Sequence, residues 1–301
     1  MIMEHRESQP RFIPHHRATL GEGPIWAADE QALYWIDIHQ DRLIRYAPTP
    51  DRSEVRALPH RPTSLALLGN GRLLVSYKTG AGIVDFASGQ HCDVEIHGVD
   101  FTREAFNDSA CDSLGRLWIG TRDPAAAAAA AVGRLYRVDA DLQATCVDDG
   151  FVISNGRAWS PDGCTLYHTD SVPGRIDAYD FDVVSGSLSQ RRVFLDYRDS
   201  GCRPDGCTVD AEGGLWVAEV EGWRVARYLP TGELDRRIAL PFRKPSSVAF
   251  GGPDLRTLFV TSVTAGLTDQ ERQDQAHAGM LTAIDVDTPG LAEHRFALNT
   301  D

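Results

Sequence analysis

Long apolar runs are missing from this 301-residue chain, and no window approaches the roughly 18 consecutive apolar residues that a membrane-spanning helix needs. The first 20 residues, MIMEHRESQPRFIPHHRATL, hold no apolar run of signal-sequence length, so the expectation is a cytoplasmic protein. Positive charge is also scarce. Thirty Lys and Arg face 43 Asp and Glu, a formal net charge of −13, which argues against nucleic acid and anionic membranes as partners. Cysteine is sparse and scattered: six residues with no C-x-x-C, read as reduced thiols, of which Cys202 and Cys207 alone flank a motif of interest. Neither a G-x-S-x-G nucleophile elbow nor an H-E-x-x-H zinc helix occurs. Helical periodicity is nearly absent as well.

What the chain has instead is one unit written six times. Short apolar runs such as ALYWIDI, RLLVSY, RLWIG, TLYHTD, GLWVAE and TLFVTS each follow a turn rich in Gly, Asn or Asp. The segments EGPIWAADEQALYWID, TSLALLGNGRLLVSY, NDSACDSLGRLWIGT, NGRAWSPDGCTLYHTD, DGCTVDAEGGLWVAE and SVAFGGPDLRTLFVTS align as strand, tight turn, strand, and most continue into a third strand. Their first residues are Glu22, Thr63, Asn107, Asn155, Asp205 and Ser247, spaced 41, 44, 48, 50 and 42 apart. Periods of about 40–50 residues with several strands each mark a propeller. The reading is all-β: a six-bladed β-propeller with four-stranded blades around a central channel, one domain over residues 1–301. Closure of the ring needs a terminal strand, for which residues 11–17 and 294–298 are the candidates. The alanine run at 125–131 is expected to be a loop insertion in the third repeat, and 265–279 a polar excursion in the sixth.

In a propeller the innermost strand of each blade lines the channel, so the six aligned residues stand at one mouth and face a common axis. All six are polar, and two are carboxylates. Converging carboxylates repel unless a cation or a shared proton compensates them. Oxygen ligands of this kind suit one hard divalent ion, Ca²⁺ first, with Mg²⁺ or Mn²⁺ possible and Zn²⁺ less suited. The candidate ligands are Glu22, Asn155 and Asp205, with Asn107 either a more distant ligand or a substrate contact.

The motifs LGEGPIW, FNDSACDSLGRLWIGT, ISNGRAWSPDG, RPDGCTVDAEGGLWVAE and FGG resemble those of the senescence marker protein (regucalcin)/gluconolactonase family over residues 18–264. The resemblance implies a six-bladed propeller with one divalent metal in its channel and hydrolysis of sugar lactones. It implies metal ligation by Glu22 of GEGP, Asn155 of SNG and Asp205 of PDG, and a substrate contact by Asn107 of FND. Many relatives carry an arginine two residues before that asparagine, where this chain has Ala105; Arg103 and Arg122 are the candidates to replace it.

A bound cation polarises a lactone carbonyl and acidifies a water. Asp205 is the expected catalytic residue, a carboxylate able to reach both metal and water. Asn107 is placed to donate to a developing oxyanion or to a hydroxyl. The expected activity is metal-dependent conversion of a sugar (aldono)lactone to its aldonic acid, by a monomer or weak homodimer. The alternatives are a non-enzymatic calcium-binding regulator of the regucalcin type, or a phosphotriester-type esterase on the same scaffold. His15 and His16 are read as surface or strand-edge residues, His168 as a packed structural histidine, and Asp170 as a turn or inter-blade hydrogen-bonding residue.

Overall fold

The computed structural model describes residues 9–125 and 130–299. Six four-stranded antiparallel sheets stand in a ring. Blades 1 to 6 begin with the strands Gly21–Ala27, Pro62–Gly69, Ala105–Cys111, Ser154–Trp159, Arg203–Val209 and Pro245–Gly251. Each of these first strands touches the first strands of both neighbouring blades, and the last touches the first, so they line the axis. Blades 1 to 5 are simple meanders. The sixth borrows its outermost strand, Arg11–Arg17, from the N-terminus, where it pairs with Met280–Asp285. Of the two closure candidates the N-terminal segment is therefore the strand. Residues 290–297 instead cross the far mouth of the channel, bridging Asp210 of blade 5 at Gly290 and Leu67 of blade 2 at Arg295.

Both faces of every blade are covered by a neighbour, which is why the second strands read as unbroken apolar runs. Ala32–Asp37 is buried at all six positions. Six apolar clusters fill the six seams: Trp118 and Phe151 meet Leu166 and Tyr179 between blades 3 and 4, and Trp26 and Trp35 meet Phe259 and Leu281 between blades 1 and 6. Each fully buried side chain of this size contributes about 1.5–3 kcal/mol. Turns after the first strand are tied by buried aspartates. Asp112 accepts the amides of Leu114 and Arg116 and the Trp118 indole N–H (2.8 Å); Asp210 accepts the amides of Glu212 and Gly214 and the Trp216 indole N–H (2.7 Å). Gly115 and Gly213 close these turns at φ 77° and 84°, which disfavours any residue with a Cβ.

The insertion at 265–279 holds one short helix, Asp269–Asp274, capped by Thr268 and Glu271 in a reciprocal box. The alanine run falls between Leu117–Arg122 and Gly133–Val138 as expected, but residues 126–129 lie outside the described residues. All six cysteines are free thiols; Cys202 and Cys207 do not pair. No helix among the described residues is long and apolar enough to cross a membrane.

Candidate active site at the channel mouth

Each first strand departs from regular register at its head, and the irregularity falls at the aligned polar residue. The shifts run from Glu22 to Ile25, Pro62 to Ser64, Phe106 to Ser109, Asn155 to Arg157, Pro204 to Cys207 and Pro245 to Ser247. A bulge re-aims a side chain that an ordinary pleat would send into a seam. Here it happens six times around one axis.

The glycines that follow the three proposed ligands explain the recurring E-G, N-G and D-G pairs. Gly23 has φ +54°, the left-handed region. A Cβ on Gly156 would lie 2.3 Å from the Asp205 carbonyl oxygen, and one on Gly206 would lie 2.1 Å from Ser247 Oγ. Successive strand heads can come this close only where the side chain is absent. That approach sets Asn155 beside Asp205, and the Asn155 amide N–H₂ donates to Asp205 Oδ1 and to Ser171 Oγ (3.1 Å).

Two further carboxylates hold the strand heads in place. Asp37, at the end of the second strand of blade 1, accepts the amides of Thr19 (2.9 Å) and Leu20 (3.1 Å), just upstream of Glu22. Asp170 accepts those of Val152 (3.1 Å) and Ile153 (2.9 Å), just upstream of Asn155. His168, wholly buried, contacts Ser154 Oγ at 3.1 Å, and burial, followed by the charges of Arg157 and Arg191, pushes its pKa well below the usual value. It is structural, as expected, and so is Asp170. His15 and His16 sit on the outermost strand of blade 6, His16 within 3.5 Å of Asp37.

The electrostatics of the mouth are unbalanced. Burial first, then the charges of Asp205 and Asp108, drives the Glu22 carboxyl well above the usual carboxylate range. Asp205 is raised in the same way by burial and Asp108, against weaker lowering by Arg203 and the Asn155 hydrogen bond. Asp108 is raised by burial and eased by Arg157. Three acidic groups thus share the channel with one buried guanidinium. Such a donor set fits a hard divalent cation, which would supply the missing positive charge. No three His, Cys, Asp or Glu side chains among the described residues are grouped so as to hold an ion by themselves.

Asp108 and Arg157 were not anticipated as channel residues. Arg157 is 3% exposed; its Nη1 donates to the Trp118 carbonyl and its Nη2 to that of Asn155, each at 3.1 Å, while its Nε has no partner among the described residues. The available signal was the dipeptide Asn107-Asp108, which carries a carboxylate where the three proposed ligands are followed by glycine. Below them the channel widens into a cavity of 520 Å³, lined among others by Asp108, Arg157, Trp159 and Glu293, which opens toward the far mouth crossed by residues 290–297. Burial, with the charge of Asp108 second, raises Glu293 to about 7.

Asn107 donates through Nδ2 to the Ser154 carbonyl at 3.1 Å, which aligns its amide between the heads of blades 3 and 4 and leaves a second N–H available. Arg122 lies directly across the strand pair from Ala105 and is bridged by backbone to Ile153, so it stands between Asn107 and Asn155. Arg103 occupies the turn before blade 3 and lines a separate rim recess with Arg134 and Asp149.

A channel ring closed by blade heads that bear two carboxylates and an amide defines a six-bladed propeller with a polar, acidic mouth. The chain belongs to the SMP-30/gluconolactonase/LRE-like family, whose model matches residues 20–264. It is 36% identical to a 6-deoxy-6-sulfogluconolactonase of Pseudomonas putida over 95% of this chain and 98% of that one. It is 35% identical to an L-arabinolactonase of Azospirillum brasilense over 97% of both. The structure superposes on a calcium-binding protein, regucalcin, from Agrobacterium tumefaciens with a TM-score of 0.90 at 27% identity, covering 96% and 98% of the two chains.

Proposed function

We propose that the chain is a metal-dependent lactonase that opens a sugar lactone to the corresponding aldonic acid. The observation that carries the reading is the convergence of Glu22, Asn155 and Asp205 on one channel mouth with their carboxylates uncompensated. Relatives named for lactone hydrolysis, at 34–36% identity over most of their length, support the same reaction class.

Glu22, Asn155 and Asp205 would hold the ion, with Ca²⁺ favoured by the all-oxygen donors. A bound divalent ion supplies a Lewis acid for the lactone carbonyl and a more acidic water. Asp205 accepts the proton of the attacking water and returns it to the ring oxygen as the acyl C–O bond breaks. Burial first, and then the neighbouring Asp108 charge, raise the proton affinity of Asp205. The free N–H of Asn107 donates to the substrate, and Arg122 takes the place of the arginine absent at Ala105, with Arg103 the weaker candidate because it faces its own recess.

The test is a panel of five- and six-membered sugar lactones followed by acid release, with chelator and then metal add-back. Turnover lost to chelator and restored by the ion supports the proposal. The structural likeness to a calcium-binding protein, regucalcin, makes regulation without turnover the second reading. Tight ion binding with no hydrolysis across the panel would decide for it.

A further inference from the structure

Two guanidiniums at the metal-bearing mouth have no carboxylate partner among the described residues. Arg122 donates only to the carbonyl of Asp123 (3.3 Å), while the Asp123 carboxylate is occupied by the Ala125 amide (2.7 Å). Arg203 heads the first strand of blade 5, two residues before Asp205; its charge is felt by Asp205, but no carboxylate among the described residues lies within ion-pair distance of it. Several other rim arginines are matched, Arg134 with Glu104 (2.8 Å), Arg224 with Glu219, and Arg243 with Glu221 (2.9 Å) and Glu271 (2.9 Å), whereas Arg103 lies in its own recess away from the strand heads. In a chain with a net charge of −13, Arg122 and Arg203 are set apart by standing next to the strand heads that bear Asn107, Asn155 and Asp205.

Their placement is specific. Arg122 lies at the seam of blades 3 and 4, between the heads bearing Asn107 and Asn155, directly across the strand pair from the buried Ala105. Arg203 belongs to blade 5, on the other side of Asn155. The pair therefore flanks the ligand asparagine at the mouth. Lys244, at the head of blade 6, adds a third positive charge, bonded only to the Ala265 carbonyl (3.1 Å).

A half-buried guanidinium without a counter-ion carries a desolvation cost, and burial accordingly pulls Arg122 below the usual arginine value. A neutral sugar hydroxyl needs only a neutral partner. Planar, bidentate donors match carboxylate, phosphate or sulfonate oxygens.

We propose that Arg122 and Arg203 form an anion cradle, and that the lactone this enzyme prefers carries a negatively charged substituent away from the ring carbonyl. The inference rests on the lactonase reading and deepens it by naming the substrate class. With the reacting carbonyl at the metal end, the cradle takes the distal end of the substrate, so it acts mainly through KM.

The experiment compares one neutral aldonolactone with the same ring bearing a terminal carboxylate, phosphate or sulfonate. The wild type should favour at least one charged form by about tenfold or more in kcat/KM, a preference that shrinks as salt rises. Arg122→Ala and Arg203→Ala should each reduce the charged-to-neutral ratio by about 10- to 100-fold, chiefly in KM, and Arg122→Lys should restore part of it. The separate arms show which anion the cradle prefers. A second measurement needs no turnover: calorimetry with a cyclic ether lacking the lactone carbonyl, with and without a terminal phosphate.

Equal turnover of neutral and charged lactones by the wild type, or equal losses on both in the variants, overturns the cradle and leaves the lactonase reading standing. Arginine-dependent binding of the phosphorylated ether with no turnover of any lactone supports the cradle and overturns the lactonase reading.

Discussion

The Asn155 amide donates to the Asp205 carboxylate although 50 residues separate them, and Gly156 lies against the backbone of that same aspartate. The two contacts are one fact. The heads of blades 4 and 5 meet because no side chain intervenes, and their meeting brings together two of the three proposed ion ligands.

Gly156→Ala tests that relationship. A methyl placed 2.3 Å from the Asp205 carbonyl cannot be accommodated by a side-chain movement, so the strand heads must separate. We expect a loss of about 2–4 kcal/mol of stability together with at least tenfold weaker ion binding, read by thermal unfolding and calorimetry. Unchanged affinity would show that the close approach does not position the ligands.

Glu22→Gln should weaken ion binding strongly while retaining the fold, because it removes one of two carboxylates and leaves an isosteric amide. Asp205→Ala should abolish kcat even with excess ion. Asn107→Ala should keep ion affinity nearly intact and lower kcat/KM by an amount equivalent to about 1–3 kcal/mol. Equal ion loss in all three variants, or full activity in Asp205→Ala, would contradict the assignment of roles.

Ion affinity should fall as the solution becomes more acidic. Glu22 and Asp205 hold their protons more tightly than ordinary carboxylates in the ion-free channel, so lowering pH returns protons that the cation must displace. Titration by calorimetry between about pH 8 and 5 should show the dissociation constant rising and protons released on binding. An affinity flat across this range would mean that the carboxylates do not ligate.

Glu293 gives a stability signature of its own. Its folded pKa of about 7 lies above the unfolded value, so the folded state binds the extra proton and stability declines as pH rises from the unfolded value to about 7. Glu293→Gln should flatten that decline and raise stability at pH 8 by about 1–3 kcal/mol, reduced by whatever water reaches the cavity. Parallel pH profiles for variant and parent would place the proton elsewhere.

Removing residues 1–18 deletes the outermost strand of blade 6, exposing the edge of Met280–Asp285 and uncovering Leu281. A substantial fall in melting temperature is expected, and an unchanged one would show that closure resides in the remaining three strands.

The periodicity of turns and apolar runs already determined the six-bladed ring, its four-stranded blades and the polar register at the strand heads, because each repeat is a local pattern that must bury both faces. The chemistry of the donors was legible for the same reason: equivalent positions in equivalent blades face one axis. Tertiary structure decided the rest. Which terminus closes the ring depends on two edges pairing across 270 residues, as Phe12 and Thr282 do. Asp108 and Arg157 entered the channel because bulges re-aim residues beyond the ligand positions, a local break in alternation that strand periodicity hides. Asp37 and Asp170 became anchors of the strand heads only once the second strand folded back beside the first. Arg122 met the gap at Ala105 through cross-strand register. Close approach, bulges and register arise between strands, and no single stretch of sequence contains them.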